Sequence, residues 1–152
     1  IIKEKAQFYD PDVFSLDIDG VDYYVARALF AEGFRPKIFI VEYNSVFGPD
    51  MSCTVKYSDN FIYTKAHPSE LYYGVSISGW IKLFEEEGYK FITVDQNGVN
   101  AFFVDPKYFD DNFLSNINPL SFAENQLQLL KFKSTYEEQF KEISHMDIFE
   151  IY

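Results

Sequence analysis

The sequence predicts an α/β fold in which a parallel sheet ends in an antiparallel hairpin. Three observations carry this expectation. Residues 13–19 and 37–43 are short apolar stretches with hydrophobic side chains on both faces, as buried parallel strands require. A helical pattern separates them, and strand–helix–strand units imply parallel pairing through a right-handed crossover. Further on, residues 90–95 and 99–104 read as two more strands. Between them lies Gln96-Asn97-Gly98, and Asn-Gly is a strong hairpin signal.

Taken in order, residues 1–9 form a charged and apolar lead-in, read as the end of a helix. Pro11 restricts the chain before the first strand, and Gly20 makes the turn after it. Asp22 is the expected N-cap of a helix presenting Val25, Ala28 and Leu29 on one face. Gly33 and Arg35-Pro36 stop that helix. The second strand ends at Glu42-Tyr43. From Asn44 to about Glu70 no helix is evident, and a short strand is expected near 54–57. A loop of this length in a compact domain is usually functional. Ser76 caps a helix with Ile77, Trp80 or Ile81, and Phe84 inward, and Gly88 ends it. Ser121-Phe122-Ala123-Glu124 matches a capping box. It predicts a single helix carrying Leu129, Phe132, Tyr136, Phe140 and Ile143 on one stripe.

Composition narrows the function classes. Asp and Glu outnumber Lys and Arg by 24 to 13, giving a formal net charge of −11. No basic cluster interrupts this balance, so nucleic acid and anionic membrane surfaces are excluded as expected partners. With 17 Phe and 12 Tyr the 152-residue chain has the apolar mass for a real core. Cys53 is the single cysteine, so no intrachain disulfide forms, and a reducing, cytoplasmic setting is expected. The first residue is not Met, and a longer gene product is expected.

The chemistry-bearing residues gather at the ends of the first two strands. Asp17 and Asp19 are two apart on one strand and are expected on the same side. Carboxyl ends of strands are where open α/β sheets bind ligands. The pair suits a general base for a hydroxyl acceptor, or part of an Mg²⁺ site with oxygen ligands. Shaping the turn is the alternative role. Glu42 and Asn44 end the neighbouring strand, with function and a structural hydrogen bond both open. Asp22 reads chiefly as a cap. His67, before Pro68, is a loop base or a surface residue, and His145 carries no assignment. Tyr72, Tyr73 and Trp80 wall a pocket or pack the core. The stripe from Leu129 to Ile143 packs on its own sheet or on a second copy.

Several segments, in order, resemble FkbM-like methyltransferases. They are Leu16-Asp17-Ile18-Asp19-Gly20 with Asp22-Tyr23-Tyr24, and Arg35-Pro36-Lys37 with Val41-Glu42-Tyr43-Asn44. Phe47-Gly48-Pro49, Tyr73-Gly74-Val75-Ser76, Gly88-Tyr89 and residues 98–104 follow. The resemblance covers roughly Asp10 to Lys107. It implies the C-terminal portion of a Rossmann-like class I methyltransferase sheet, from the fourth strand onward. Residues 1–118 would be a partial methyltransferase-like domain, and 119–152 a C-terminal amphipathic helical extension packed on it.

The implied activity is transfer of a methyl group from S-adenosylmethionine to a small-molecule or glycan hydroxyl. The acidic surroundings also suit a cationic cofactor. Family members hold that cofactor with a glycine-rich turn after the first strand, and no two of the seven glycines here are spaced G-x-G. The chain is therefore expected to supply the acceptor side alone, and to self-associate through an unpaired sheet edge.

Two further readings stay open. Asp17-Ile18-Asp19-Gly20-Val21 after an apolar strand also resembles the first motif of haloacid-dehalogenase-type phosphatases, with Asp17 as nucleophile and Asp19 as acid/base. That family needs a later Ser/Thr strand end, a Lys and a further acidic pair after an apolar strand; Asp110-Asp111 follow Tyr108-Phe109, but Pro106 and Lys107 interrupt the strand there. The third reading is a non-catalytic half-fold serving as an interaction module.

Overall fold

The computed structural model describes residues 9–152, so the helical lead-in expected over 1–9 lies, but for Tyr9, outside the described residues. The fold is mixed α/β, with one mixed four-stranded sheet and one small two-stranded sheet. The main sheet is built from β1 (Val13–Leu16), β2 (Ile38–Glu42), β4 (Lys90–Val94) and β5 (Asn100–Val104), in the order β1-β2-β5-β4. β1 and β2 are parallel, with Val13 opposite Ile38 and Leu16 opposite Val41. β5 runs antiparallel to both β2 and β4, so β4 has the same sense as the first two strands. The four strands expected from the sequence thus share one sheet, and the hairpin inserts its second strand between β2 and β4.

Helix α1 (Asp22–Ala31) makes the crossover from β1 to β2. Its N-cap is Val21, not Asp22, and its buried face is Asp22, Tyr23, Ala26, Leu29 and Phe30. Ala28, expected inside, faces solvent. The shift has a local cause. The Asp22 carboxylate turns back to accept from the Ile18 and Gly20 backbone N–H groups, which rotates the helix from the capped register. Helix α3 (Ile77–Glu86) follows the expectation. The Ser76 hydroxyl accepts from Gly79 N–H, and Ile77, Trp80, Leu83 and Phe84 are buried. These two helices cover one face of the sheet, where Phe39, Val41, Ala101 and Phe103 are completely buried. Phe84 stacks on Phe103 at 4.0 Å between ring centres, and edge-on contacts join Phe84 to Phe30 and Phe39. Such contacts add about 0.5–1.5 kcal/mol per pair beyond area burial.

The 44–70 region is more ordered than its sequence implied. A 3₁₀ turn spans Ser45–Phe47, β3 is Cys53–Val55, and α2 is the single turn Tyr63–Ala66. The C-terminal part also differs. The single helix expected from Ser121 is two helices, α5 (Gln126–Phe132) and α6 (Tyr136–Ile143). Asn125 caps the first through its side-chain oxygen. Lys133 then adopts a left-handed conformation, φ 54°, and ends it. The capping box is Thr135 with Glu138, so a second start signal inside the apolar stripe breaks it. Glu124, assigned to a cap with Ser121, accepts instead from the Tyr136 backbone N–H.

The segment 119–152 is also woven in rather than laid on. Its β6 (Ile148–Glu150) pairs antiparallel with β3. Ile143 joins a second buried cluster with Val46, Phe47, Cys53, Val55 and Leu71. After α4 (Asp111–Ser115), the chain crosses the β4–β5 turn, and Gln126 N–H donates to the Asn97 carbonyl. There Gly98 has φ 71°, and a Cβ at this position would lie 2.3 Å from the Glu124 carbonyl carbon.

Gly98→Ala should therefore combine left-handed strain with a backbone clash, a cost of about 2–4 kcal/mol. Urea denaturation reads this directly. A loss below about 1 kcal/mol would mean that the 120–126 crossing is not held against the hairpin.

Candidate functional site

The site is assembled at the carboxyl ends of β1 and β2. β1 stops at Leu16, so Asp17 and Asp19 lie in the following turn and not on one strand. The two are brought to the same place by the turn: Asp19 is left-handed, φ 52°, and Asp22 clamps the loop through Ile18 and Gly20. Gly20 is buried against the Phe61 ring, where a Cβ would approach Cδ1 to 2.8 Å. Its carbonyl also accepts from Gly74 N–H. A side chain there would displace Phe61, so glycine is the residue the turn accommodates.

Glu42 ends β2 and is 8% exposed. A carboxylate oxygen from each of Asp17, Asp19 and Glu42 lies within 4.8 Å of the other two. The first two face solvent and the third is buried. The three acidic candidates of the first two strands are thus one cluster. Its electrostatics are dominated by Glu42. Burial, then the charges of Asp17, Asp19 and Asp22, and last a side-chain hydrogen bond with Asp17, push the Glu42 carboxyl up to about 9. Its Oε2 has no hydrogen-bond partner. Asp19 is also raised, by burial first and then by Asp17 and Asp22. Asp22 is raised by burial, against the opposing effect of its bonds from Gly20 and Ile18.

Asn44 is adjacent in sequence but committed elsewhere. It is fully buried, its Nδ2 donates to the Leu71 and Tyr73 carbonyls, and its Oδ1 accepts from Val46 N–H. It braces the loop over the strand ends. Asp22 likewise has both carboxylate oxygens occupied by backbone donors.

Tyr73 is the site neighbour that sequence reasoning left between pocket wall and core. Burial, followed by the charge of Glu42, holds its phenol far above the ordinary range, with Asp19 and Asp17 adding to the effect. Its hydroxyl accepts from Gln128 Nε2 at 3.1 Å. Gln128, on α5, had no signal in the sequence, since 55 residues separate it from Tyr73. Trp80 is core, and its indole N–H donates to the Glu42 carbonyl at 2.7 Å. Tyr72 is core as well, donating to the Asp147 carbonyl. His67 is outside the cluster. Its Nδ1 accepts from Ser69 N–H, and its ring lies 5.4 Å from that of His145. Among the described residues, no helix is long and apolar enough to cross a membrane.

Chemically, three carboxylates on two strand ends can accept a proton from a hydroxyl or supply oxygen ligands. The phosphatase reading is weakened at its later acidic pair. Asp110 caps α4 through Phe113 N–H and Asp111 opens that helix, so neither ends a strand. Comparison with protein-family models, with curated proteins and with solved structures gives no match to this chain.

Two predictions follow from this geometry. In chelator-treated buffer, Glu42 keeps a proton in the folded state to about pH 9 but loses it near 4.5 when unfolded. The folded state then binds more protons between these values, so stability falls as pH rises through that window. Glu42→Gln should flatten the decline, giving a variant more stable than wild type by a few kcal/mol at pH 8 and equal to it near pH 4. Parallel curves from pH 4 to 9 in chemical denaturation would contradict the burial of Glu42. Second, Asn44→Ala should strip the Leu71 and Tyr73 carbonyls of their donor. The expected loss is about 2–4 kcal/mol, measured by the same method.

Proposed function

We propose that this chain supplies the acceptor side of an S-adenosylmethionine-dependent methyltransferase acting on a hydroxyl of a small molecule or sugar. The supporting observation is the placement of Asp17, Asp19 and Glu42 together at the carboxyl ends of two parallel neighbours. The sheet around them is ordered β1-β2-β5-β4, with one antiparallel strand inserted by a terminal hairpin. A terminal hairpin of this kind is what the reading expects of the C-terminal portion of a class I methyltransferase sheet, and the strand order supports it. Ligands of open α/β sheets bind outside such strand ends.

The residues present do not fit the cofactor's cradle, because no glycine pair has G-x-G spacing. When bound, the cofactor supplies an electrophilic methyl group. The work of this chain is on the acceptor. Asp17 and Asp19 face solvent, where a hydroxyl can reach them. A carboxylate there can accept the proton of a hydroxyl held against it. Phe61, packed on Gly20, places an aromatic wall beside the turn. Tyr73, bonded to Gln128, lies within electrostatic reach of the three acids.

Methyl transfer from labelled S-adenosylmethionine to a panel of sugars and small alcohols, catalysed by the full-length protein, tests this reading. Asp17→Asn should lower turnover by about 10²–10⁴-fold with an unchanged melting temperature. An unchanged rate with a large loss of melting temperature would return Asp17 to a purely structural role. The chain by itself should show no saturable S-adenosylmethionine binding in calorimetry at micromolar concentrations. One-to-one binding would place a cradle within these residues and overturn the acceptor-side assignment.

A further inference from the structure

Three carboxylates confined within 4.8 Å cannot all remain charged without a counter-charge. Two of them are exposed, so water screens them. The third is not: Glu42 is 8% exposed, and its Oε2 has no hydrogen-bond partner. A buried carboxylate oxygen left bare is among the costlier features a fold can carry, and buried polar atoms are almost always paired. Elsewhere in this corner pairing is complete. Asp22 has both oxygens bonded to backbone, and Asn44 has both amide protons and its oxygen engaged. The orphaned oxygen is therefore an exception within a well-satisfied neighbourhood.

Lys and Arg do not answer it. The ion pairs among the described residues join Arg35 to Glu87, Lys37 to Asp12, Lys56 to Asp147 and Lys131 to Glu70, none of them at this cluster. Either a retained proton or a bound cation must compensate. A proton neutralises one carboxyl but leaves three oxygen-rich groups converging with a single hydrogen among them. A small cation engages all three together. The donor set contains oxygen only, with no imidazole or thiolate. That chemistry selects a hard ion, and three carboxylates with the remaining positions left to water suit one that keeps part of its hydration shell.

We infer that Asp17, Asp19 and Glu42 form a binding site for a single divalent cation of the Mg²⁺/Mn²⁺ class. The two strand ends bring the ligands: Asp17 and Asp19 come from the turn after β1, and Glu42 from the last position of β2. Asp22 holds that turn in shape and is not a ligand. Asp17 and Asp19 form the solvent-facing entrance, and Glu42 forms the buried anchor. The site stands on the donor geometry and the orphaned oxygen, and does not depend on the methyltransferase reading.

Mn²⁺ is the probe. The chain, stripped with chelator and held in about 0.15 M NaCl to screen diffuse attraction to its negative surface, is titrated with MnCl₂. Calorimetry and the electron paramagnetic resonance signal of free Mn²⁺ both report binding. One saturable site is expected, with Mg²⁺ competing for it. At a hundredfold excess over Kd the melting temperature should rise by about 5 °C or more. Asp17→Asn and Glu42→Gln should each weaken binding at least tenfold while retaining the wild-type circular dichroism spectrum. Asp110→Asn, at the cap of α4, should bind as wild type does.

Three outcomes would overturn the proposal. They are no saturable binding, several weak sites that Asp110→Asn reduces as much as Asp17→Asn does, or a Glu42→Gln variant that is stabilised yet binds Mn²⁺ unchanged. The last would identify a retained proton as the compensation. Because no cofactor or acceptor enters the experiment, Mn²⁺ binding without methyl transfer would sink the transferase alone. Methyl transfer without Mn²⁺ binding would sink the cation site alone.

Discussion

Parallel pairing of β1 with β2 requires both strands to end at the same edge of the sheet, and most other features of the molecule answer to that requirement. A parallel neighbour cannot be reached by a tight turn, so the chain must cross back through α1 and bury that helix on the sheet. Both exits then open side by side, although 25 positions separate Asp17 from Glu42. Whatever residues occupy those exits are forced into contact. Here they are acidic, and the cluster follows from topology. The turn after β1 is shaped to hold this arrangement: Asp22 gathers two backbone N–H groups, and Gly20 lets Phe61 approach.

Burying Glu42 works against folding. The carboxyl is surrounded by three other acids, and its Oε2 lacks a partner. A glutamine would fill the same space without the charge. Strongly perturbed groups of this kind gather at functional sites. The stability lost is offset nearby by the aromatic core under the sheet. There Phe30, Phe39, Phe84 and Phe103 contact one another, and Trp80 bonds the Glu42 backbone carbonyl itself. The acid is thus held by its main chain while its Oε2 has no partner.

The C-terminal segment reinforces the same edge from above. Residues 122–128 lie across the ends of β2 and the β4–β5 turn. Tyr43 donates to the Ala123 carbonyl, Asn125 N–H donates to the Ser45 hydroxyl, and Gln128 reaches Tyr73. Farther along, β6 pairs with β3 and joins the 44–70 region to the end of the chain. A long connection thereby becomes a second layer, with its own buried cluster around Val46, Phe47 and Ile143.

Some of this was written locally in the chain and some was not. The apolar stretches, the Asn97-Gly98 turn, the Ser76 cap and the glycine stops act over a few residues, and they determined the strands, their pairing and α3. The acidic strand ends were legible for the same reason, since any strand–helix–strand unit places such residues at one edge. Local signals failed where two competed. Ser121 and Thr135 both open capping boxes by pattern; the bonds of Gln126 to Asn97 and of Asn125 to Ser45 fix the first start at Asn125, and the local box with Glu138 holds the second at Thr135. Asp22 looked like a cap because caps are its commonest local use, but its carboxylate found two backbone donors in the turn behind it. Neither the β3–β6 pairing nor the Gln128–Tyr73 bond had any signal, because each joins residues more than 50 positions apart. The burial of Glu42 was likewise decided by tertiary structure. The sequence by itself determined that a carboxylate would stand at the end of β2. Whether water reached it depended on the loop braced by Asn44 and on the helix carrying Trp80, and desolvation is a property of everything packed around a group.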